Sequence, residues 1–227
     1  MVYWPHLYLL FFVLIIWGLE KMFPRFMERA EENLLVLILT AIMLVSFGQV
    51  IARYGFNTGW SAALEFNTMA FSWLILLGMG YGIKTGLHLG VDIVLNAVPK
   101  KVTKVLSLVG ALAALFYGLI LIDSIWLSWL HLGTNAKGGA LAYWLKMYKV
   151  HIGMEELRYP EFLQQAFDLQ PRVHRWLTLL VLPVGLSMLV YRSLQAFWAI
   201  LTNKRSMLIS GHEAEELVAE HKDALKD

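Results

Sequence analysis

Three ionisable residues stand where a membrane would make them costly, and they are the first candidates for chemistry. Arg53 closes one apolar run, Glu65 opens the next, and Asp123 lies late in a third. A charged residue in a membrane span marks an ion path, a proton relay or a paired clamp. Asp123 falls roughly 18 residues into its run, so about 27 Å along it if the run is helical. All three then converge on one membrane interface instead of the bilayer centre. At an interface the cost of charge falls, and an Arg–Glu pair can satisfy itself. The expectation is a structural clamp of Arg53, Glu65 and Asp123 with Trp60. A transport path would need a second polar partner at the midplane, and none is evident in the sequence.

The seven histidines are the next candidates. A haem anchor needs histidines facing each other well inside spans. His88 adjoins one interface and His131 the other, and none sits at the centre of an apolar run. A redox anchor is therefore an alternative that lacks its ligands. The chain has no Cys, which excludes disulfides, thiolate metal sites and cysteine nucleophiles. No catalytic residue, metal site or cofactor is expected. The formal net charge of +2 is small, and no nucleic-acid partner is expected.

These residues must be positioned by apolar helices. Apolar types make up 58 % of the 227 residues and charged types only 16 %. A soluble domain is nearer one half and one quarter. The excess is gathered into blocks of about 20 residues, long enough to cross a hydrocarbon core of roughly 30 Å. The expected fold is an all-α integral membrane protein with a four-transmembrane-helix core. An N-terminal apolar membrane-associated helix and interfacial amphipathic helices complete it.

Residues 2–19 are apolar and aromatic, and barely long enough to span. Residues 20–33 place Met22, Phe23, Phe26, Met27 and Ala30 on one helical face, as an interfacial helix would. The expected units are 1–33, the first three spans in 34–130, a long loop at 131–175, a fourth span at 176–201, and a charged tail at 202–227. An interfacial connector is expected at 87–98. With the first span running outward, 12 Lys and Arg lie inside and 7 outside, six of the seven in the long loop. The positive-inside bias of the short loops then puts the 131–175 loop outside.

Glycines give the most specific spacing. Gly78, Gly82, Gly86 and Gly90 recur every four residues, and Gly110, Ala114 and Gly118 repeat the pattern in the third span. Such faces let helices approach closely. They are expected to form an interface with each other or with a larger partner.

The ordered set Glu32, Arg53, Tyr54, Trp60, Glu65, Trp73, Gly78, Gly86, His88 and Asp92 resembles the small permease subunit of tripartite ATP-independent periplasmic (TRAP) transporters, the DctQ family. The resemblance covers about residues 28–130 well and the fourth span loosely. It implies four spans with both termini cytoplasmic, in the bacterial inner membrane. It also implies a fixed scaffold beside a large TRAP permease subunit that carries substrate and sodium. A periplasmic substrate-binding protein would deliver a carboxylate, of which a C4-dicarboxylate is the expected type. The apolar stretch at 2–19 and the loop at 131–175 depart from the family pattern. A haem anchor or a stand-alone transporter is the rival class.

Overall fold

A computed structural model describes residues 5–86, 98–124 and 139–203. Its elements in chain order are α1 (Pro5–Met22), α2 (Pro24–Gly55), α3 (Ser61–Thr85), α4 (Lys100–Ile122) and α5 (Ala140–Val150). Then come β1 (Gly153–Arg158), α6 (Glu161–Phe167), β2 (Arg172–His174), α7 (Arg175–Thr178) and α8 (Val181–Leu201). Four helical stretches are long and apolar enough to cross a membrane: Arg29–Gly55, Ser61–Thr85, Lys101–Ile122 and Arg175–Leu201. The protein is thus an all-α membrane protein with four such stretches, as expected.

α2 is a continuous helix of 32 residues, about 48 Å long. Pro24 opens it in the first turn, where a missing N–H costs nothing. No Gly or Pro lies between Pro24 and Gly48, so the helix passes the expected boundary between residues 33 and 34 without a break. α3 ends because Gly86 adopts φ 74°, with its N–H donated to the Gly82 carbonyl at 2.8 Å. Only a residue tolerant of the left-handed region fits there.

α8 is the central helix. α3 and α4 each pack on it, and α1 and α5 add smaller contacts. Most of α8 is buried, whereas α2 turns most of its apolar side chains outward. Compact residues on α8 allow this: Pro183, Gly185, Ser187, Ser193 and Ala196 are all buried. A Cβ at Gly185 would meet Leu76 Cβ of α3 at 2.8 Å. One at Gly118 of α4 would meet Val190 Cγ2 of α8 at 2.8 Å. These glycines set how closely the helices approach. The main core cluster joins Ile83, Ala111, Ile122, Leu141, Leu186, Leu189 and Ile200, and a second joins Leu77, Val181 and Met188.

The described part of the long loop has a fold of its own. α5 packs against α7, and β1 pairs with β2 in an antiparallel ribbon that also contacts the start of α3. The loop's first residues, the 87–97 part of the connector and the tail after 203 lie outside the described residues.

Candidate functional site

α2 and α3 meet at a tight hairpin beside the β ribbon; this is the β-unit end of the bundle. Thr58 donates both its N–H and its hydroxyl to the Ala52 carbonyl, and the left-handed Asn57 turns the chain. Trp60 immediately precedes α3. Its ring lies over α2: a Cβ at Gly48 would meet Trp60 Cζ3 at 3.4 Å. Asn67 donates to Ser46 Oγ at 2.9 Å, a second tie between the two helices.

Glu65 is in the second turn of α3, facing β1. Its carboxylate accepts the backbone N–H groups of Glu155 at 2.9 Å, Glu156 at 2.8 Å and Leu157 at 2.7 Å. Ser61 adds a bond to the Glu156 carboxylate at 2.9 Å. A carboxylate receiving three backbone donors is a strong, directional anchor. Beside it opens a cavity of about 1010 Å³, lined among others by Arg53, Trp60, Glu65, Tyr143, Glu156 and Arg175.

The structure rearranges the expected clamp. Arg53, Trp60 and Glu65 do meet around one cavity. However, no ion pair between Arg53 and Glu65 forms among the described residues. Glu65 already has three backbone donors and needs no guanidinium. Asp123 does not line that cavity. It follows the last residue of α4, is only 2 % exposed, and its Oδ2 lies 3.8 Å from Nε2 of His6 on α1.

At the opposite end lies an ion cluster that sequence reasoning missed. Arg192 of α8 is 3 % exposed. Its Nη1 donates to both carboxylate oxygens of Glu20 on α1, each at 3.1 Å, and to Gln195 Oε1 at 2.6 Å. Its Nη2 donates to Glu31 on α2. Tyr191 donates to Glu20 at 2.7 Å, and Lys84 of α3 lies 3.3 Å from Glu31. Four helices are tied at one point. The available signal was Arg192 itself, an ionisable residue well inside the expected fourth span at 176–201. Counting it only as a flanking charge hid the carboxylates it requires.

The glycine series divides by role. Gly118 and Ala114 of α4 face the α8 core, and Gly86 ends α3. A Cβ at Gly82 meets nothing within 4 Å, and one at Gly78 only just touches Leu35. Gly110 is half-buried on α4, and Gly90 lies outside the described residues. The two small-residue faces therefore do not form one seam. α3 and α4 each pack mainly on α8, and the close approach on α3 is made by Gly80, outside the four-residue series.

Residues 42–203, which hold the α2–α3 hairpin, the ribbon and α8, match the family model for the DctQ component of tripartite ATP-independent periplasmic transporters. The chain belongs to the DctQ family. Among curated relatives, a C4-dicarboxylate TRAP transporter small permease protein DctQ of Vibrio cholerae is 30 % identical over 85 % of this chain and 80 % of its own length. One of the same description from Pseudomonas aeruginosa is 26 % identical over 88 % of this chain and 96 % of its own length. A putative TRAP transporter small permease protein of Haemophilus influenzae is 28 % identical over 45 % of this chain. DctQ proteins are transporter components of the bacterial inner membrane, not enzymes. Among the described residues no group of His, Asp and Glu is placed to hold a metal ion.

Proposed function

We propose that this DctQ chain is the non-catalytic scaffold subunit of a sodium-driven importer of carboxylates, with C4-dicarboxylates as the substrate class. A large permease subunit carries substrate and sodium, and a periplasmic binding protein delivers the substrate. The β-unit end faces the periplasm and the Arg192 end the cytoplasm, following the bias of Lys and Arg in the short loops. The observation that carries the scaffold role is the cross-bracing of the bundle. Arg192 joins α8 to α1 and α2, Lys84 brings in α3, and Glu65 fixes the ribbon at the other end. A body braced at both ends is suited to stay still while a partner moves. The substrate class comes from the relatives' names.

The partner surfaces are the open Gly78 and Gly82 face of α3, for the large subunit, and the β unit, for the binding protein. The decisive experiment is uptake in proteoliposomes under a sodium gradient. The three components together should accumulate a C4-dicarboxylate, and leaving out this chain should abolish accumulation. Uptake by this chain alone would establish a stand-alone transporter instead. Gly82→Leu should disrupt co-purification with the large subunit; intact assembly with normal uptake would remove the α3 face as the interface.

A further inference from the structure

We infer that α1 is a fifth membrane-crossing helix, so that the start of α1 and the end of α8 lie on opposite faces of the membrane. α1 lies outside the family match, which begins at residue 42. The family model therefore does not place it. Its contacts do. At its first turn His6 approaches Asp123, at the end of α4. At its last turn Glu20 meets Arg192 and Tyr191 of α8. α4 begins at Lys100, and Lys104 bonds Asn203 just past α8, so the start of α4 and the end of α8 share one face of the bundle. The end of α4, and His6 with it, belongs to the other face. α1 thus runs in the same direction as α8 and contacts the bundle along its length, with Leu9 against the main core cluster and Ile16 against the second.

Its side chains suit hydrocarbon all round. No Asp, Glu, Lys or Arg occurs between His6 and Glu20. The outward side carries Leu7, Leu10, Phe11, Leu14 and Trp17, all exposed. A helix lying in the interface has a polar face turned to water, and α1 has none. Its 18 residues reach about 27 Å, which modest bilayer thinning accommodates. Lys21, its flanking basic residue, stands at the Glu20 end, on the same side as Lys84 and Lys104. The positive-inside bias predicts that arrangement for a helix entering from the periplasm. Glu20 is also one of the two carboxylates on the buried Arg192, so α1 completes the ion cluster. Because α1 contacts both α2 and α8, it covers that flank of the bundle.

The absence of cysteine makes the test clean. The full chain, expressed with its partner subunits, receives one cysteine in a short Gly-Ser extension ahead of residue 1. Glu161→Cys in α6 and Thr202→Cys after α8 mark the two faces. Spheroplasts are treated with a membrane-impermeant maleimide before and after lysis. The extension should label as Glu161→Cys does and opposite to Thr202→Cys. Labelling in step with Thr202→Cys overturns the inference. So does equal labelling from both faces, or labelling only in detergent, because a crossing α1 delivers the extension to water on one side.

Discussion

At one end of the bundle Arg192 is buried and its guanidinium touches carboxylates from two other helices. At the other end Arg53 and Arg175 line an open cavity and form no ion pair among the described residues. Both ends hold arginines and glutamates, and burial separates their roles. A charge taken out of water must be met by partners, so the Arg192 cluster is committed to the protein's own helices. Charge left beside water need not be met. Glu65 is committed to the β1 backbone, with Arg175 nearby, while Arg53 remains exposed at the cavity. One end fixes the bundle, and the other presents a polar surface.

The largest effect should come from Arg192→Met. It takes the guanidinium from the buried Glu31, which keeps only Lys84, and from the partly exposed Glu20, and breaking a buried pair by removing one partner costs about 3–5 kcal/mol. A large fall in melting temperature of the purified protein in detergent is expected. Adding Glu20→Gln and Glu31→Gln to Arg192→Met removes the stranded charge and should recover most of the loss. If the triple variant is as unstable as the single one, charge is not what locks this end, and the contrast between the ends fails.

Glu65→Gln probes the other end. The amide keeps one acceptor oxygen where the carboxylate had two, and hydrogen bonds to charged groups are worth about 1.5–3 kcal/mol. The loss should stay local. Limited proteolysis should open sites within residues 153–174 while the melting temperature of the helices hardly moves. A global loss of stability would mean that the ribbon is part of the core rather than a unit anchored upon it.

Between the two ends, Gly118→Ala and Gly82→Ala test the close-packed middle. The added carbon at Gly118 meets Val190, and overpacking of this size costs roughly 1 kcal/mol. The same carbon at Gly82 meets nothing. Thermal melts should separate the two variants, with Gly82→Ala at or slightly above the unmodified protein, since alanine is the better helix former. Equal behaviour would place Gly82 in an internal contact and remove the α3 face from the partner surfaces.

The spans were legible because a run of about 20 apolar residues has few alternatives to a membrane helix. The hairpin was legible from Gly55, Asn57 and Trp60, and Trp60 and Glu65 line the cavity at its mouth. Partner choice was not legible. The sequence contains both Arg53 and Glu65, but nothing in it says that β1, some 90 residues later, delivers three N–H groups to Glu65. Nor does spacing reveal that Glu20, Glu31 and Lys84 gather around Arg192, because their separations are set by helix packing. The glycine period identified small residues but not their neighbours. The glycines that set close approach on α3 and α8 are Gly80 and Gly185, one outside the four-residue series and one on a helix with no repeat.

The smallest change in stability should accompany Arg53→Gln, and it bears most directly on the contrast. Arg53 is exposed in the last turn of α2, and surface substitutions away from special features stay within about 0.5 kcal/mol. Charge at the rim of a surface mainly alters how fast a partner arrives and how strongly salt affects that rate. Arg53→Gln should therefore leave the melting temperature unchanged. Uptake with the binding protein present should become slower and less sensitive to ionic strength, measured as initial rates over a salt series. A stability loss like that of Arg192→Met would restore the clamp role expected for Arg53 from its sequence position. Unchanged stability with unchanged, salt-independent uptake would leave the cavity's arginines with neither role.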